Sequence, residues 1–180
     1  VDSRGFAVDA AVAATPTPTL DGFFRGRSRA ANNSKLWIAS AAVLATIGGP
    51  GGRRAAVNGL ASVAVTSAVV NLALKPLGRR HRPDRGTYHV PITRQVTMPR
   101  TTSFPSGHAA SASAFATGVA SAAPEAGIPV STAATLVAYS RVHTGVHYPI
   151  DVIAGSLTGE ALALLTVAAL ARRRRRRLDG

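Results

Sequence analysis

The stretch SFPSGHAASASAFATGVASAA, residues 103–123, joins a short polar turn to an apolar run of small residues. Serine, proline and glycine favour a turn, and Ser106 stands where an N-cap residue would begin a helix. His108 then falls in the first turn of a helix that is apolar enough to enter a membrane. An ionisable side chain in such a segment is by default a sign of function. The stretch therefore predicts a functional site at one end of an apolar helical bundle.

The composition favours helices packed through small side chains. The chain has 180 residues, enough for one domain, of which 46% are hydrophobic but only 5% aromatic. A soluble core of this length would lack its usual large side chains, whereas small residues suit close helix packing inside a bilayer. The absence of cysteine excludes disulfides and thiolate metal sites.

Apolar segments recur along most of the chain, and a helix that spans a membrane needs about 20 residues. The second, third and fifth segments reach that length, and the first and fourth are shorter. A soluble bundle of alanine-rich helices is the alternative, but five such segments in one small chain favour the membrane. We therefore expect an all-α integral-membrane bundle over residues 35–171. The segments are 35–49, 55–74, 106–123, 128–141 and 150–171.

Residues 1–34 are too polar and too interrupted by proline to span a bilayer. Phe23, Phe24 and the arginines near them indicate a segment on the membrane surface, although a flexible tail fits equally well. Ser34 is expected to cap the first apolar helix, and Trp37 to lie at the depth of the membrane interface.

The net charge of +13 permits either a nucleic acid or an anionic membrane as partner. The charge is divided among separate clusters at 25–29, 53–54, 75–85 and 172–177, and no aromatic platform accompanies them. This distribution favours membrane lipids over nucleic acid, with a non-catalytic basic protein as the alternative.

The basic clusters also predict the orientation of the bundle. Arg53 and Arg54 fall in the expected loop between the first two segments, and residues 172–180 form a basic tail. Both belong on the cytoplasmic side by the positive-inside rule. The opposite end of the bundle would then face outward.

Successive spans cross the membrane in opposite directions. The end of the second span, the start of the third, the end of the fourth and the start of the fifth therefore lie on that outward face. A helix N-terminus with free amides and several basic side chains is suited to binding phosphate. Histidine beside a carboxylate can act as a nucleophile, and a second histidine as an acid. The four ends carry Lys75, His108, Arg141 and Asp151.

Three blocks carry these residues at fixed internal spacing: KPLGRRHRP at 75–83, PSGH at 105–108 and SRVHTGVHYPID at 140–151. Together they resemble the signature of the superfamily of type-2 phosphatidic acid phosphatases and vanadium haloperoxidases, and every position of that signature is filled. The resemblance implies the helical core of that superfamily, whose membrane members commonly have six spans. We therefore expect about five to six transmembrane helices.

The resemblance also implies roles for individual residues. His147 would attack phosphorus and form a phosphohistidine, and Asp151 would accept a hydrogen bond from its other ring nitrogen. His108 would protonate the leaving oxygen. No metal or other cofactor is implied. The oxygens of the phosphate would be held by Lys75, Arg82, Ser106, Gly107 and Arg141.

The implied function is a metal-independent membrane lipid phosphatase, with its active site on the extracytoplasmic face. The substrate would be a polyprenyl diphosphate, a polyprenyl-phosphoryl sugar phosphate or a phospholipid phosphate. A phosphotransferase using the same phosphohistidine, and a vanadium-dependent haloperoxidase, are the alternatives. The oligomeric state does not follow from the sequence.

The polar residues that have no role in this signature are not assigned to the catalytic site. His81, His89 and His143 are expected to be bystanders, with a role of His143 in shaping its loop as the alternative. Asn71 and Glu160 lie within apolar segments and are expected to make hydrogen bonds between helices. The remaining arginines of the 75–85 cluster would attract substrate, contact lipid headgroups or be solvated; they are Arg79, Arg80 and Arg85.

Overall fold

The computed structural model describes residues 11–12, 15, 17–30, 34–87 and 89–179, so part of the predicted segment 1–34 lies outside the described residues. Six helices organise the described chain, and the prediction of an all-α fold is confirmed. The third helix continues through a π-helical turn, Val70–Leu74, into a last turn, Lys75–Leu77. The helices are α1 (Pro18–Ala30), α2 (Lys35–Ile47), α3 (Gly49–Val69), α4 (Gly107–Ala120), α5 (Pro124–His143) and α6 (Pro149–Arg176).

Several helix boundaries differ from the sequence-based prediction; α5, for example, covers Pro124–His143 where 128–141 was predicted. Helix α3 begins at Gly49 with proline in its first turn, so Arg53 and Arg54 lie in the helix and not in a loop. Helix α6 continues to Arg176, because arginine favours helix and a cation stabilises a helix C-terminus. Helix α4 has 14 residues and is shorter than the predicted third segment.

Helix α4 occupies the centre of the bundle and packs against α3, α5 and α6. Its buried residues are mostly alanine, so neighbouring helices approach it closely. Trp37 of α2 is 1% exposed and lies against Phe115 of α4, with ring centroids 5.2 Å apart. The gap between small side chains thus draws Trp37 into the core of the bundle, while its depth at the membrane interface stays a prediction.

The α4–α6 contact depends on small residues spaced four apart on α6. Gly155, Gly159 and Ala163 are buried on one face of the helix. A Cβ atom at Gly155 would clash with the carbonyl oxygen of Ser106, and one at Gly159 with that of Ala110. The two backbones are therefore in direct contact, as in membrane helix pairs built on small residues.

The outward faces of the bundle are apolar. Ile153, Leu157 and Leu164 of α6 are each more than half exposed. Two of the described helices, Gly49–Leu77 and Pro149–Arg176, are long and apolar enough to cross a membrane. Exposed apolar surface of this kind favours a membrane protein over the soluble bundle that the sequence left as the alternative.

The N-terminal helix α1 is docked on the bundle. Phe24 is 7% exposed and lies against Tyr139 and His143 of α5, with ring centroids 5.1 and 4.8 Å away. The expectation of a flexible tail is therefore wrong for α1. Ser34 occupies the predicted N-cap position of α2, with φ 58°, but its side chain makes no capping hydrogen bond among the described residues.

A buried carboxylate holds α1 in place. Asp21 accepts hydrogen bonds from Arg94 Nε at 2.9 Å and Thr93 Oγ1 at 3.0 Å, and His143 Nε2 lies 3.2 Å away. Burial alone would raise the pKa of Asp21, but hydrogen bonds from Thr17 and Thr93 and the charge of Arg94 together lower it. His143 is thus a buried structural residue and not a bystander.

We expect Gly159→Ala to destabilise the bundle by about 1–3 kcal/mol, because its Cβ would meet the α4 backbone, which cannot move without repacking. Thermal unfolding in detergent, followed by the fluorescence of Trp37, measures the change. Gly22→Ala is the control, since its Cβ would meet no atom within 4 Å. Equal stability of the two variants would contradict the proposed backbone contact.

Candidate active site

The predicted site residues lie at one end of the bundle, where α3 and α5 end and α4 and α6 begin. Backbone hydrogen bonds join these segments. Ser106 N donates to Asp151 O at 2.9 Å, which ties the start of α4 to the start of α6. Ser103 N donates to Arg80 O at 2.9 Å, which closes the long connection between α3 and α4 over the same place.

His147 is 2% exposed and has a defined orientation. Its Nε2 atom lies 3.2 Å from Arg82 Nη1. A guanidinium group can only donate, so Nε2 must be the acceptor and the ring proton must reside on Nδ1. The lone pair of Nε2 therefore faces a cation, in the position where an incoming anion would be held.

Ser103 connects His147 with Asp151. The distance from His147 Nδ1 to Asp151 Oδ2 is 3.7 Å, longer than a hydrogen bond. Ser103 Oγ lies 3.5 Å from Nδ1 and donates to Asp151 Oδ2. The histidine and carboxylate expected to pair from the sequence are thus neighbours, and the Ser103 hydroxyl lies within reach of both.

Asp151 is fully buried and surrounded by donors. Its Oδ2 also accepts from Tyr148 N at 3.0 Å, and its Oδ1 accepts from Arg80 Nη1 at 3.2 Å. The Arg80 guanidinium lies 4.4 Å from the centroid of the Tyr148 ring. Arg80 is therefore held in the site by the carboxylate and is not a freely solvated residue of a basic loop.

The predicted phosphate-binding cations are held by the loop at Thr101. Arg82 donates from Nε to Thr101 O at 2.9 Å and from Nη2 to Thr102 O at 3.2 Å. Lys75 Nζ donates to Thr101 Oγ1 at 3.3 Å. Arg141 is 2% exposed, and its carbonyl oxygen accepts from the backbone N of His147 at 3.1 Å.

The PSGH turn completes the site. Ser106 is the N-cap of α4, and its Oγ accepts from Ala109 N at 3.5 Å. Gly107 lies beside Lys75, because a Cβ atom there would be 3.5 Å from Lys75 Nζ. His108 lines one cavity together with Lys75 and Gly107. All eight predicted site residues therefore converge on one end of the bundle.

The electrostatics of the site favour an anion and a neutral His147. Burial lowers the pKa of His147 to about 4, with help from the charges of Arg82 and Arg141 and against the opposing effect of Asp151. Burial also lowers the pKa of Arg82. At neutral pH, His147 therefore presents an unprotonated nitrogen to a positively charged pocket.

The sequence did not identify Ser103 and Arg80 as site residues, and it misjudged two others. Asn71 Nδ2 donates to Ser67 O of its own helix at 2.8 Å, not to another helix. Glu160 is exposed and makes no hydrogen bond with any residue in the described part of the chain. His81 and His89 are exposed, as expected for bystanders.

Comparison with known proteins identifies the family. The sequence profile of the PAP2 superfamily matches residues 55–175. The chain belongs to the PAP2 superfamily. The predicted superfamily is thereby confirmed, and the matched region contains all three sequence blocks.

The similar proteins include phosphatases that act on polyprenyl-linked phosphates, as their names state. The decaprenylphosphoryl-5-phosphoribose phosphatase of Mycolicibacterium smegmatis is 40% identical over 154 residues, which cover 83% of this chain and 77% of that protein. The undecaprenyl-diphosphatase of Sulfolobus acidocaldarius is 46% identical over 66 residues, 36% of this chain and 32% of that protein. These relationships agree with the predicted phosphatase class.

A solved membrane structure has the same fold. The transmembrane PAP2 type phosphatidylglycerolphosphate phosphatase from Bacillus subtilis superposes with a TM-score of 0.70. The two sequences are 24% identical, and the match covers 94% of this chain and 86% of that one. Together with the exposed apolar helices, this fold supports the predicted membrane protein.

We expect Ser103→Ala to lower the rate of phosphate release from a lipid phosphate about tenfold, because His147 and Asp151 would lose the hydroxyl that joins them. Ser103→Thr keeps the hydroxyl and should restore most of the rate. The control is Ser131→Ala, an exposed serine on α5. Unchanged activity of Ser103→Ala would exclude a positioning role for Ser103.

Proposed function

We propose that this protein is a membrane lipid phosphatase that works through a phosphohistidine on His147. The observation that carries this proposal is the buried, neutral His147, whose Nε2 faces Arg82 at 3.2 Å in a cluster of cations. A neutral imidazole nitrogen is a competent nucleophile, and fixed cations favour the negative charge that develops on a transferred phosphoryl group.

The reaction would proceed in two displacements. Nε2 of His147 forms a bond to phosphorus while the bond from phosphorus to the leaving oxygen breaks, and His108 donates a proton to that oxygen. A water molecule then attacks phosphorus and gives a proton to His108 while the bond between phosphorus and Nε2 of His147 breaks, which releases inorganic phosphate and free His147. Asp151 and Ser103 hold the Nδ1 proton and stabilise the charge of the ring during both steps.

Basic side chains would perform the charge neutralisation of this reaction. Lys75, Arg82 and Arg141 would bind the non-bridging oxygens, together with the Ser106 hydroxyl and the amide of Gly107 at the α4 N-terminus. The backbone carbonyls of Thr101, Thr102 and Val146 position Arg82, and the Thr101 hydroxyl positions Lys75, before substrate arrives, so little reorganisation is needed. The proposed reaction is therefore independent of metal.

The substrate would be a lipid whose phosphate lies at the level of the headgroups. The site is at an end of apolar helices, and the relatives are named for polyprenyl-linked phosphates. A polyprenyl diphosphate, a polyprenyl-phosphoryl sugar phosphate and a phospholipid phosphate all present such a group.

The proposed orientation places the site on the extracytoplasmic face. Arg174 Nη2 donates to Asn58 Oδ1 at 2.9 Å, so the arginine-rich end of α6 lies beside the first half of α3. Arg53 and Arg54 are at that same end, away from Lys75. By the positive-inside rule this end would be cytoplasmic.

We expect phosphate release from lipid phosphates in detergent to persist in EDTA and to fall at least 10³-fold in His147→Ala, since the nucleophile is lost. The assay compares a polyprenyl diphosphate, a polyprenyl-phosphoryl phosphoribose and phosphatidic acid. Brief incubation with labelled substrate should trap an acid-labile phosphoenzyme in the unmodified protein.

The matched control for this experiment is His81→Ala, because His81 is exposed and adjacent to Arg82 in sequence. Its activity should equal that of the unmodified protein. Activity that persists in His147→Ala would show that His147 is not the nucleophile, and the proposed mechanism would be wrong.

As the pH is lowered, kcat/KM should fall with an apparent pKa near 4, well below that of an ordinary histidine. His147 has a lowered pKa of about 4, so it stays neutral and reactive until the pH falls through that value. The measurement is kcat/KM against pH, corrected for the second ionisation of the substrate phosphate, near pH 6. A limb near pH 6.5 after that correction would contradict a neutral, buried nucleophile.

A further inference from the structure

A polar cavity lies directly beside the site. It has a volume of about 230 Å³ and lies between the last turns of α3 and the first turns of α4. It shares Lys75, Gly107 and His108 with the proposed phosphate site. The rest of its lining consists of Ser34, Ser67, Val70, Asn71 and Ser111.

The position of this cavity indicates which part of a substrate it receives. In an in-line displacement the nucleophile and the leaving oxygen lie on opposite sides of phosphorus. His108, the proposed acid, lines the cavity, whereas His147, the proposed nucleophile, does not. The cavity is therefore on the side of the leaving group.

The lining of the cavity is suited to hydroxyl groups. Ser67 Oγ and Ser111 Oγ lie 3.3 Å apart across the α3–α4 contact. Asn71 donates from Nδ2 to Ser67 O at 2.8 Å, and its Oδ1 accepts no hydrogen bond from the described residues. A hydroxyl group in this space could donate to Asn71 Oδ1, whereas an acyl or alkyl group would leave that oxygen without a partner, at about 1–3 kcal/mol.

The local sequence explains why these groups share one face. Ser67, Asn71 and Lys75 are four residues apart, so they follow one another along α3. The π-helical turn Val70–Leu74 lies within this run, and such turns occur frequently at functional sites. Leu72, next to Asn71, is 80% exposed, so the surface beside the cavity is apolar enough for a lipid chain.

We infer that this cavity is a leaving-group subsite for a hydroxyl-bearing group, and that the preferred substrate is a phosphomonoester on a lipid-linked sugar or polyol. The inference rests on the proposed function. The cavity is smaller than the roughly 300–1,000 Å³ pockets that hold drug-sized ligands, so it fits one small polar group. A diacylglycerol phosphate has no polar group of this kind next to the scissile bond, and a diphosphate has an anionic phosphate there, with no alcohol hydroxyl to donate to Asn71 Oδ1.

The test compares substrates and variants in the same detergent assay. The probes are a polyprenyl-phosphoryl 5-phosphoribose, phosphatidylglycerol phosphate, phosphatidic acid and a polyprenyl diphosphate. We expect kcat/KM to decrease in that order for the first three, because the hydroxyl groups on the leaving group decrease in that order. The first two probes also distinguish a sugar from a glycerol headgroup.

Asn71→Leu should lower kcat/KM for the phosphoribose lipid about 10–100-fold and change it less than threefold for phosphatidic acid. The double variant Ser67→Ala/Ser111→Ala should act in the same direction, and it avoids placing a larger apolar side chain in the cavity. Ser113→Ala is the matched control, since Ser113 lies on α4 but outside this cavity.

The outcomes separate the two proposals. Equal loss on all substrates in both variants, or a tenfold preference of the unmodified protein for phosphatidic acid or the diphosphate, would overturn the subsite while leaving the phosphatase intact. Loss of the phosphoribose preference in the variants, with phosphatidic acid unaffected, would establish it. Activity in His147→Ala would instead reject the proposed mechanism.

Discussion

The buried carboxylate of Asp151 is the constraint on which the site depends. Its side chain accepts hydrogen bonds from Ser103, Arg80 and the backbone of Tyr148, and its carbonyl oxygen accepts one from Ser106 N. A fully buried charge is costly unless it is paired and hydrogen-bonded. The partners of the carboxylate lie in the α3–α4 connection and in the loop before α6, so satisfying one carboxylate fixes both segments, and the backbone carbonyl of the same residue fixes the start of α4.

Small residues make that arrangement sterically feasible. Asp151 can reach the start of α4 only because Gly155, one turn further along α6, lets the helix lie against the Ser106 carbonyl. Gly159 and Ala163 continue the same close approach deeper in the bundle. Helix α6 therefore needs small residues on the face that packs against α4 and large apolar residues on the face toward lipid.

The sequence predicted the parts of this structure that depend on local spacing. Helix alternation and the three blocks placed Lys75, His108, Arg141 and Asp151 at the same end, because helix ends are determined by chain order and period. Ser103 was not predicted, since its position depends on a backbone hydrogen bond to Arg80, 23 positions earlier in the chain.

The same limit applies outside the site. Residue type suggested a membrane depth for Trp37 but did not show that packing among small side chains would bury it in the bundle. Asn71 was assigned a hydrogen bond to another helix, yet its amide bonds its own helix and the residue faces a cavity. In both cases the neighbours that the fold supplies, and not the residue type alone, determine where the side chain lies.

The length of α6 connects the chemistry to the membrane. Asp151 in its first turn and Arg172 near its end are separated by 21 residues, which corresponds to about 32 Å of helix. The hydrocarbon core of a bilayer is about 30 Å thick. If the arginines bind one membrane surface, as their charge favours, a straight α6 places Asp151 at the opposite headgroup level. A single rigid helix would then set the depth of the phosphate site, and a lipid phosphate would meet His147 without leaving the membrane surface.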